Sequence, residues 1–198
     1  MLRLQDKTFS TFIDAARVQA AVKSVAQTIN SHYKGEDVIF LAILDGAFMF
    51  AADLLKHIDL DCEISFVKVE SYQGTQSTEK VNTLLGLDVN LEQKNVVVLE
   101  DIVDTGRTIE KVKEIVNPSK CKSFEVATFL FKPEAFLFED SPKFVGLEIS
   151  NTFVVGYGLD YNEKGRNLDA IFQLNTEQKD MLNIVLFGPP GAGKGTQS

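Results

Sequence analysis

Cysteine, histidine and net positive charge are all scarce in this sequence. Two cysteines occur in 198 residues, Cys62 and Cys121, far apart and in no C-x-x-C arrangement. That distribution gives no zinc site, and it fits a reducing compartment. The two histidines, His32 and His57, are expected at the surface or at helix ends rather than as metal ligands. Lysine and arginine number 20 against 28 acidic residues, a net charge of −8. Such a balance argues against nucleic acid or an anionic membrane surface as the main partner, although a local cup can still hold a small anion. The opening MLRLQDKTFS has no apolar signal core and no run approaches membrane-spanning length. No membrane partner is expected, and a cytoplasmic location is the default.

What is present is an alternation of strand and helix patterns. At 44% hydrophobic and 24% charged residues, the composition is that of a soluble globular chain long enough for one full α/β domain. Residues 1–13 read as an arm or edge strand. Ala16, Val18, Ala21, Val22, Val25 and Ile29 follow helical spacing from Asp14 to about Tyr33, with Gly35 as the stop. The run 37–44 is continuously apolar and reads as a central strand, followed by a helix over 47–58. Residues 62–70 form a second strand. The polar stretch 71–80 reads as a mobile loop and 84–88 as a turn. Strands are also predicted over 123–131, 143–149, 152–161 and 167–174. Alternation of this kind predicts an α/β fold with a parallel sheet and right-handed crossovers.

The most informative stretch is VVVLEDIVDTGRT, Val96 to Thr108. A β-branched strand stops at Glu100 and Asp101, turns through Asp104-Thr105-Gly106-Arg107-Thr108 and feeds a helix. Ligands of open α/β sheets sit beyond the carboxyl ends of the strands. A helix start offers unpaired N–H groups suited to phosphate, Thr105 and Thr108 add hydroxyls, and Gly106 permits close approach. Carboxylates suit a sugar diol or a magnesium ion. The stretch therefore combines an anion cup with a grip for a diol and a metal, as a ribose 5-phosphate requires. A D-T-G-x-T in isolation is also compatible with a plain βα turn capped by Asp104; the strand and acid pair in front favour the site.

VVVLEDIVDTGRT resembles the 5-phosphoribosyl 1-pyrophosphate (PRPP) motif of the type I phosphoribosyltransferases, and more narrowly that of their hypoxanthine-guanine branch, and the resemblance extends from about Val38 to Leu174. It implies a central, mainly parallel sheet flanked by helices, with a small hood subdomain, over residues 1–174. Further motifs carry it. Leu44-Asp45-Gly46 resembles the family's pyrophosphate loop, which implies a cis peptide at Leu44–Asp45; family members often have Lys or Arg where Asp45 stands, and a carboxylate there weakens pyrophosphate binding unless it points away or binds magnesium. Ser71-Tyr72 resembles the start of the catalytic loop. By resemblance Lys132, after ATFLF, reads O6 of a 6-oxopurine, although a lysine at a strand end is more often a surface residue. In FVVGYGLDYNEKGR, Phe153 stacks on the purine and backbone at Val154 reads its edge. Asp160 supports the base or the metal shell, and Arg166 meets pyrophosphate. Glu100 and Asp101 hold the ribose hydroxyls, Ile102 packs beneath the base, and Asp104 is the general acid/base near N7. The implied reaction moves 5-phosphoribose from PRPP to hypoxanthine or guanine, giving IMP or GMP and pyrophosphate. Magnesium (Mg2+) is the implied cofactor, with Glu100, Asp101 and Asp160 as ligands, and a homodimer or homotetramer the implied assembly. The alternatives are a xanthine-preferring enzyme and a PRPP-binding regulator without catalysis.

Residues 181–198, MLNIVLFGPPGAGKGTQS, do not belong to this pattern. A buried strand followed by a P-loop variant, with Gly188, Gly193 and Lys194 in place but Gly195 in the hydroxyl position, resembles the start of adenylate kinase. The expectation is a linker over 175–180 and the truncated beginning of a second domain. Without its following helix that P-loop is not expected to bind nucleotide.

Overall fold

The structure, a computed structural model, describes residues 1–69, 83–85, 89–116 and 118–175. Two sheets organise it. The larger contains β3 (Val38–Leu44), β4 (Cys62–Val69), β5 (Thr83–Leu85), β6 (Asn95–Val103), β7 (Ser123–Phe131) and β8 (Phe144–Glu148) in the order β5-β4-β3-β6-β7-β8. Five of these strands are mutually parallel, and β5 runs antiparallel to β4 at the edge. The smaller sheet is an antiparallel hood, β1 (Leu2–Leu4), β2 (Lys7–Ile13), β10 (Ile171–Leu174) and β9 (Val154–Val155). Both chain ends of the described domain thus meet in the hood.

The continuous apolar run of β3 is explained by burial on both faces. Val38, Phe40 and Ala42 belong to one core cluster, while Ile39, Leu41 and Ile43 belong to the other. The first cluster is covered by α1 (Ala15–His32) and α2 (Phe48–Leu55), the second by α3 (Arg107–Val116). α1 begins at Asp14, whose carboxylate accepts the Arg17 N–H at 2.8 Å. Its buried residues, Val18, Ala21, Val22, Val25, Ala26 and Ile29, form one stripe at helical spacing.

The sheet order also locates a crevice. From β3 the chain passes through α2 to β4 on one side, and from β6 through α3 to β7 on the other. The connections diverge between β3 and β6, so the loops after these strands border a switch point, where ligands of open sheets bind.

Three expectations require correction. Residues 152–161 form a strand only at Val154–Val155; beyond it Gly156, Tyr157 and Gly158 all have positive φ, at 100°, 50° and 97°. The chain there is a sequence of turns, with short bridges Gly156–Leu159 and Tyr161–Lys164. Thr83–Leu85 is an edge strand, so its pairing with β4 replaces the turn expected to begin at Leu84. β6 does not stop at the acid pair. Its pairing with β3 ends at Leu99, but its pairing with β7 runs on to Val103.

Candidate active site

The loop after β6 builds the first half of the site. A small hollow is lined by Glu100, by the turn from Ile102 to Gly106, and by Thr108 and Ile109 at the start of α3. The first turn of that helix supplies N–H groups without intrahelical partners. The Gly106 carbonyl accepts the Glu110 N–H, so the residue flanking the helix is Gly106, with φ +84°. Asp104 is therefore not the helix cap, and its carboxylate goes elsewhere. Arg107 is exposed and does not line the hollow.

The acid pair divides between two faces. Expected to hold ribose hydroxyls together, Glu100 and Asp101 are separated by the two-residue alternation of the strand. Glu100 lines the hollow, and its buried Oε2 has no hydrogen-bond partner. Asp101 turns to the loop after β3, where a Cβ on Gly46 would overlap its carboxylate. Its Oδ1 accepts the Ile102 N–H at 2.9 Å. Burial, then the neighbouring Asp101, push the Glu100 carboxyl well above its usual range. Burial also raises Asp101 to about 6, against backbone N–H groups and Arg166, which favour its charged form.

The second half is formed where loops after β3 and β9 meet. Leu44–Asp45 is a cis peptide, as the resemblance implied. A Cβ on Gly158 would overlap the Gly46 carbonyl, so two glycines let these backbones touch. Arg166 donates to the Gly158 carbonyl at 2.7 Å and pairs with Asp160 at 2.7 Å. The other Asp160 oxygen accepts the Glu163 N–H at 2.7 Å. Glu100, Asp101 and Asp160 consequently do not gather as a metal cluster: among the described residues no three acidic, His or Cys side chains stand close enough to hold an ion. The physical reason is that both Asp160 oxygens are already occupied and the β6 pair is divided. Asp45 pairs with Lys68 of β4 at 2.6 Å.

The residues expected to face a purine are placed as follows. Lys132 directly follows β7, is buried, and reaches Asp104 Oδ2 at 2.9 Å. Phe153 is 46% exposed, so it is not plain core. Its ring meets Tyr161 edge-on at 6.0 Å and Phe9 at 6.4 Å. Val154 lies on β9, the edge of the hood sheet, where one side of the backbone lacks a neighbouring strand. Ile102 is half-buried on the hollow. Ser71 and Tyr72, and the whole tail from residue 176, lie outside the described residues.

Several contributors escaped the motif reading. Tyr157 donates to Asp53 of α2 at 2.8 Å, and Asp53 also binds Gln19 and Lys56, which anchors the loop carrying Gly158 to the core. Burial and that contact keep the Tyr157 hydroxyl protonated. Phe136 and Phe138 pack closely over Gly106 and back the turn after β6. Aromatic residues close behind the strand that ends at Phe131 were the available signal for the latter.

Comparison with known proteins agrees with this geometry. The model of the phosphoribosyl transferase domain matches residues 11–162. A Staphylococcus epidermidis hypoxanthine-guanine phosphoribosyltransferase is 41% identical over 161 residues, 81% of this chain and 90% of its own; a Staphylococcus aureus counterpart is 38% identical over the same extents. The crystal structure of a Bacillus anthracis hypoxanthine-guanine phosphoribosyltransferase, with a HEPES molecule in its active site, superposes with a TM-score of 0.78 at 39% identity, covering 86% of this chain and 99% of that one. A Trypanosoma cruzi hypoxanthine phosphoribosyltransferase in a ternary substrates complex gives 0.78 at 30% identity, over 86% of this chain and 97% of its own. The adenylate kinase resemblance of the tail receives no support from these matches, and the family model ends before it. With the family model over most of the domain, the divided acid pair at the switch point and relatives matched almost end to end, the chain belongs to the phosphoribosyltransferases of type I, in their hypoxanthine-guanine branch.

Proposed function

We propose that this protein transfers 5-phosphoribose from PRPP to hypoxanthine or guanine in purine salvage, with release of pyrophosphate. The observation that carries the substrate assignment is the 2.9 Å contact between Lys132 and Asp104 beside the phosphate hollow. An ammonium that would donate to O6 and a carboxylate that would accept the purine proton thus lie within one hydrogen bond of each other, which supports the reading. Lys132 has nothing to accept from an amino group, so it favours 6-oxopurines over adenine.

N9 of the base attacks C1 of the ribose, and the bond to pyrophosphate breaks with its electron pair leaving on the pyrophosphate oxygen. Asp104 accepts the proton shed near N7 and returns it in the reverse direction. Positive charge develops on the ribose, so catalysis is mainly positioning and electrostatics. The amides around Gly106, with Thr105 and Thr108, receive the 5-phosphate, and Glu100 meets the ribose hydroxyls. Phe153 stacks on the purine, Ile102 packs beneath it and the free edge at Val154 reads it. Arg166 and the backbone of the 44–46 loop meet pyrophosphate.

Magnesium fits the donors present. Glu100 has a buried carboxylate oxygen with no partner on the hollow, and on the opposite face the Asp101 carboxyl is pushed up to about 6 by burial; a cation on either face would relieve the carboxylate on that face. Magnesium commonly takes one or two carboxylates and completes its shell with water and substrate phosphates, so Asp160 is not needed as a ligand. When bound, it would neutralise charge on the departing pyrophosphate.

A panel of hypoxanthine, guanine, xanthine and adenine under saturating PRPP, with and without magnesium, tests the assignment. Turnover of 6-oxopurines and rejection of adenine is expected; binding of PRPP without turnover of any base would replace the enzyme by a regulator. Asp104→Asn is expected to lower kcat by roughly 10²–10⁴-fold, and unchanged kcat would remove Asp104 from the chemistry. Assembly as a homodimer or homotetramer belongs to the same reading and is checked by light scattering.

A further inference from the structure

We propose that Lys68 is a positioning residue for the pyrophosphate half of the site, acting by cancelling the charge of Asp45. The inference rests on the phosphoribosyltransferase reading and extends it to a residue outside the family motifs discussed above. Asp45 stands directly between the end of β3 and Gly46, in the loop that touches Gly158 and faces the Asp101 carboxylate. An uncompensated Asp45 would join Asp101 and Asp160 as a third carboxylate at the place where a polyanion must arrive. The guanidinium of Arg166 is already shared with Asp160.

Lys68 answers this through the sheet register. It is the pairing partner of Leu44 on the adjacent parallel strand, so its Cα lies beside the last residue of β3. Its side chain then extends one residue further and meets Asp45 Oδ2 at 2.6 Å. The two side chains are 35% and 53% exposed. Half-exposed pairs of this kind add little to fold stability. The effect of the pair on local charge is larger: it turns a loop of charge −1 into a neutral one at the rim of the anion site.

The test measures KM for PRPP, KM for hypoxanthine and kcat, with calorimetric binding of inorganic pyrophosphate as a readout independent of turnover. Lys68→Gln is expected to raise KM for PRPP and weaken pyrophosphate binding by roughly tenfold at low salt, an effect that shrinks as salt screens it. KM for hypoxanthine and kcat stay within about twofold, because the purine half is untouched. Lys68→Arg retains normal values. In the double variant Asp45→Asn with Lys68→Gln, PRPP and pyrophosphate affinity return to within about twofold of the unsubstituted protein, since no charge is left to cancel. An unchanged KM for PRPP in Lys68→Gln overturns the proposal. So does a double variant as impaired as Lys68→Gln, because Lys68 would then touch phosphate itself rather than act through Asp45. If the unsubstituted protein shows no turnover, the enzyme reading fails, and the pyrophosphate titrations still decide the role of the pair.

Discussion

Neutralising the acids of β6 should make the free protein more stable while disabling it. Glu100 and Asp101 are adjacent, both buried, and Glu100 Oε2 has no partner. Burial moves the Asp101 carboxyl from its ordinary 3.8 to about 6. At about 1.4 kcal/mol per pH unit, that rise costs the folded state about 3 kcal/mol at neutral pH. The sign follows from proton binding. Between 3.8 and about 6 the folded protein holds a proton that the unfolded chain has released, so this contribution to stability is complete below 3.8 and is lost as pH rises to about 6. Glu100, raised further by burial and by its neighbour, extends the loss to higher pH. Asp101→Asn keeps the acceptor for the Ile102 N–H and removes the charge, so it should recover about 1–3 kcal/mol at pH 7.5. For a chain of this size that is roughly 2–12 °C in Tm. Thermal unfolding without ligand at pH 5 and pH 7.5 is the assay. The unsubstituted protein should lose stability between those values and the variant should lose less. Turnover should fall in both Asp101→Asn and Glu100→Gln. An Asp101→Asn protein that melts at or below the unsubstituted Tm at pH 7.5 would refute the claim that this buried charge is held against its own solvation.

Two further outcomes follow from the geometry. Lys132→Met removes the proposed O6 donor and leaves Asp104, which is 46% exposed, able to hydrate; the ratio of kcat/KM for hypoxanthine over adenine should shrink by roughly 10²-fold or more, and an unaltered ratio in the base panel would remove Lys132 from recognition. Gly106→Ala combines a side chain at φ +84° with an overlap on Phe136 and Phe138; it should destabilise by about 1–3 kcal/mol and raise KM for PRPP more than KM for the base, which steady-state kinetics and thermal unfolding can check together.

The parts legible in the sequence were those set by local pattern. β3 announced itself because both of its faces are buried, and α1 because its apolar stripe repeats at 3.6 residues. The turn after β6 was legible because strand, acids, glycine and helix start follow one another in the chain. The division of Glu100 from Asp101 was equally available from strand alternation, but reading the pair as one chemical unit hid it. Other features depend on distant contacts. Val154 to Tyr161 has the apolar content of a strand, yet Gly156 and Gly158 turn there to fit against Ala170 and Gly46. Only a fold can bring those residues together. The partner of Asp45 was hidden for the same reason, since Lys68 is 23 residues away and the parallel register alone makes them neighbours.

That register has a consequence for how an acidic chain recognises a polyanion. The site contains three cation–carboxylate pairs: Lys132 with Asp104, Arg166 with Asp160, and Lys68 with Asp45. In the free protein each cation already has an anionic partner, so none is buried alone, a condition that would be strongly destabilising for Lys132 in particular. A substrate that reaches Lys132 or Arg166 therefore exchanges one set of charge-assisted hydrogen bonds for another. Its affinity is the difference between the two sets rather than the full strength of either. On the proposed reading, shape and donor geometry then decide which ligand wins: a carbonyl oxygen at Lys132 would free Asp104 to take a proton, whereas an amino group at the same place would leave the ion pair the better option. On the proposed reading, the scarcity of positive charge in the sequence is compatible with binding PRPP: Asp104 and Asp160 can hand Lys132 and Arg166 over to the substrate, while Lys68 stays on Asp45 and cancels its charge.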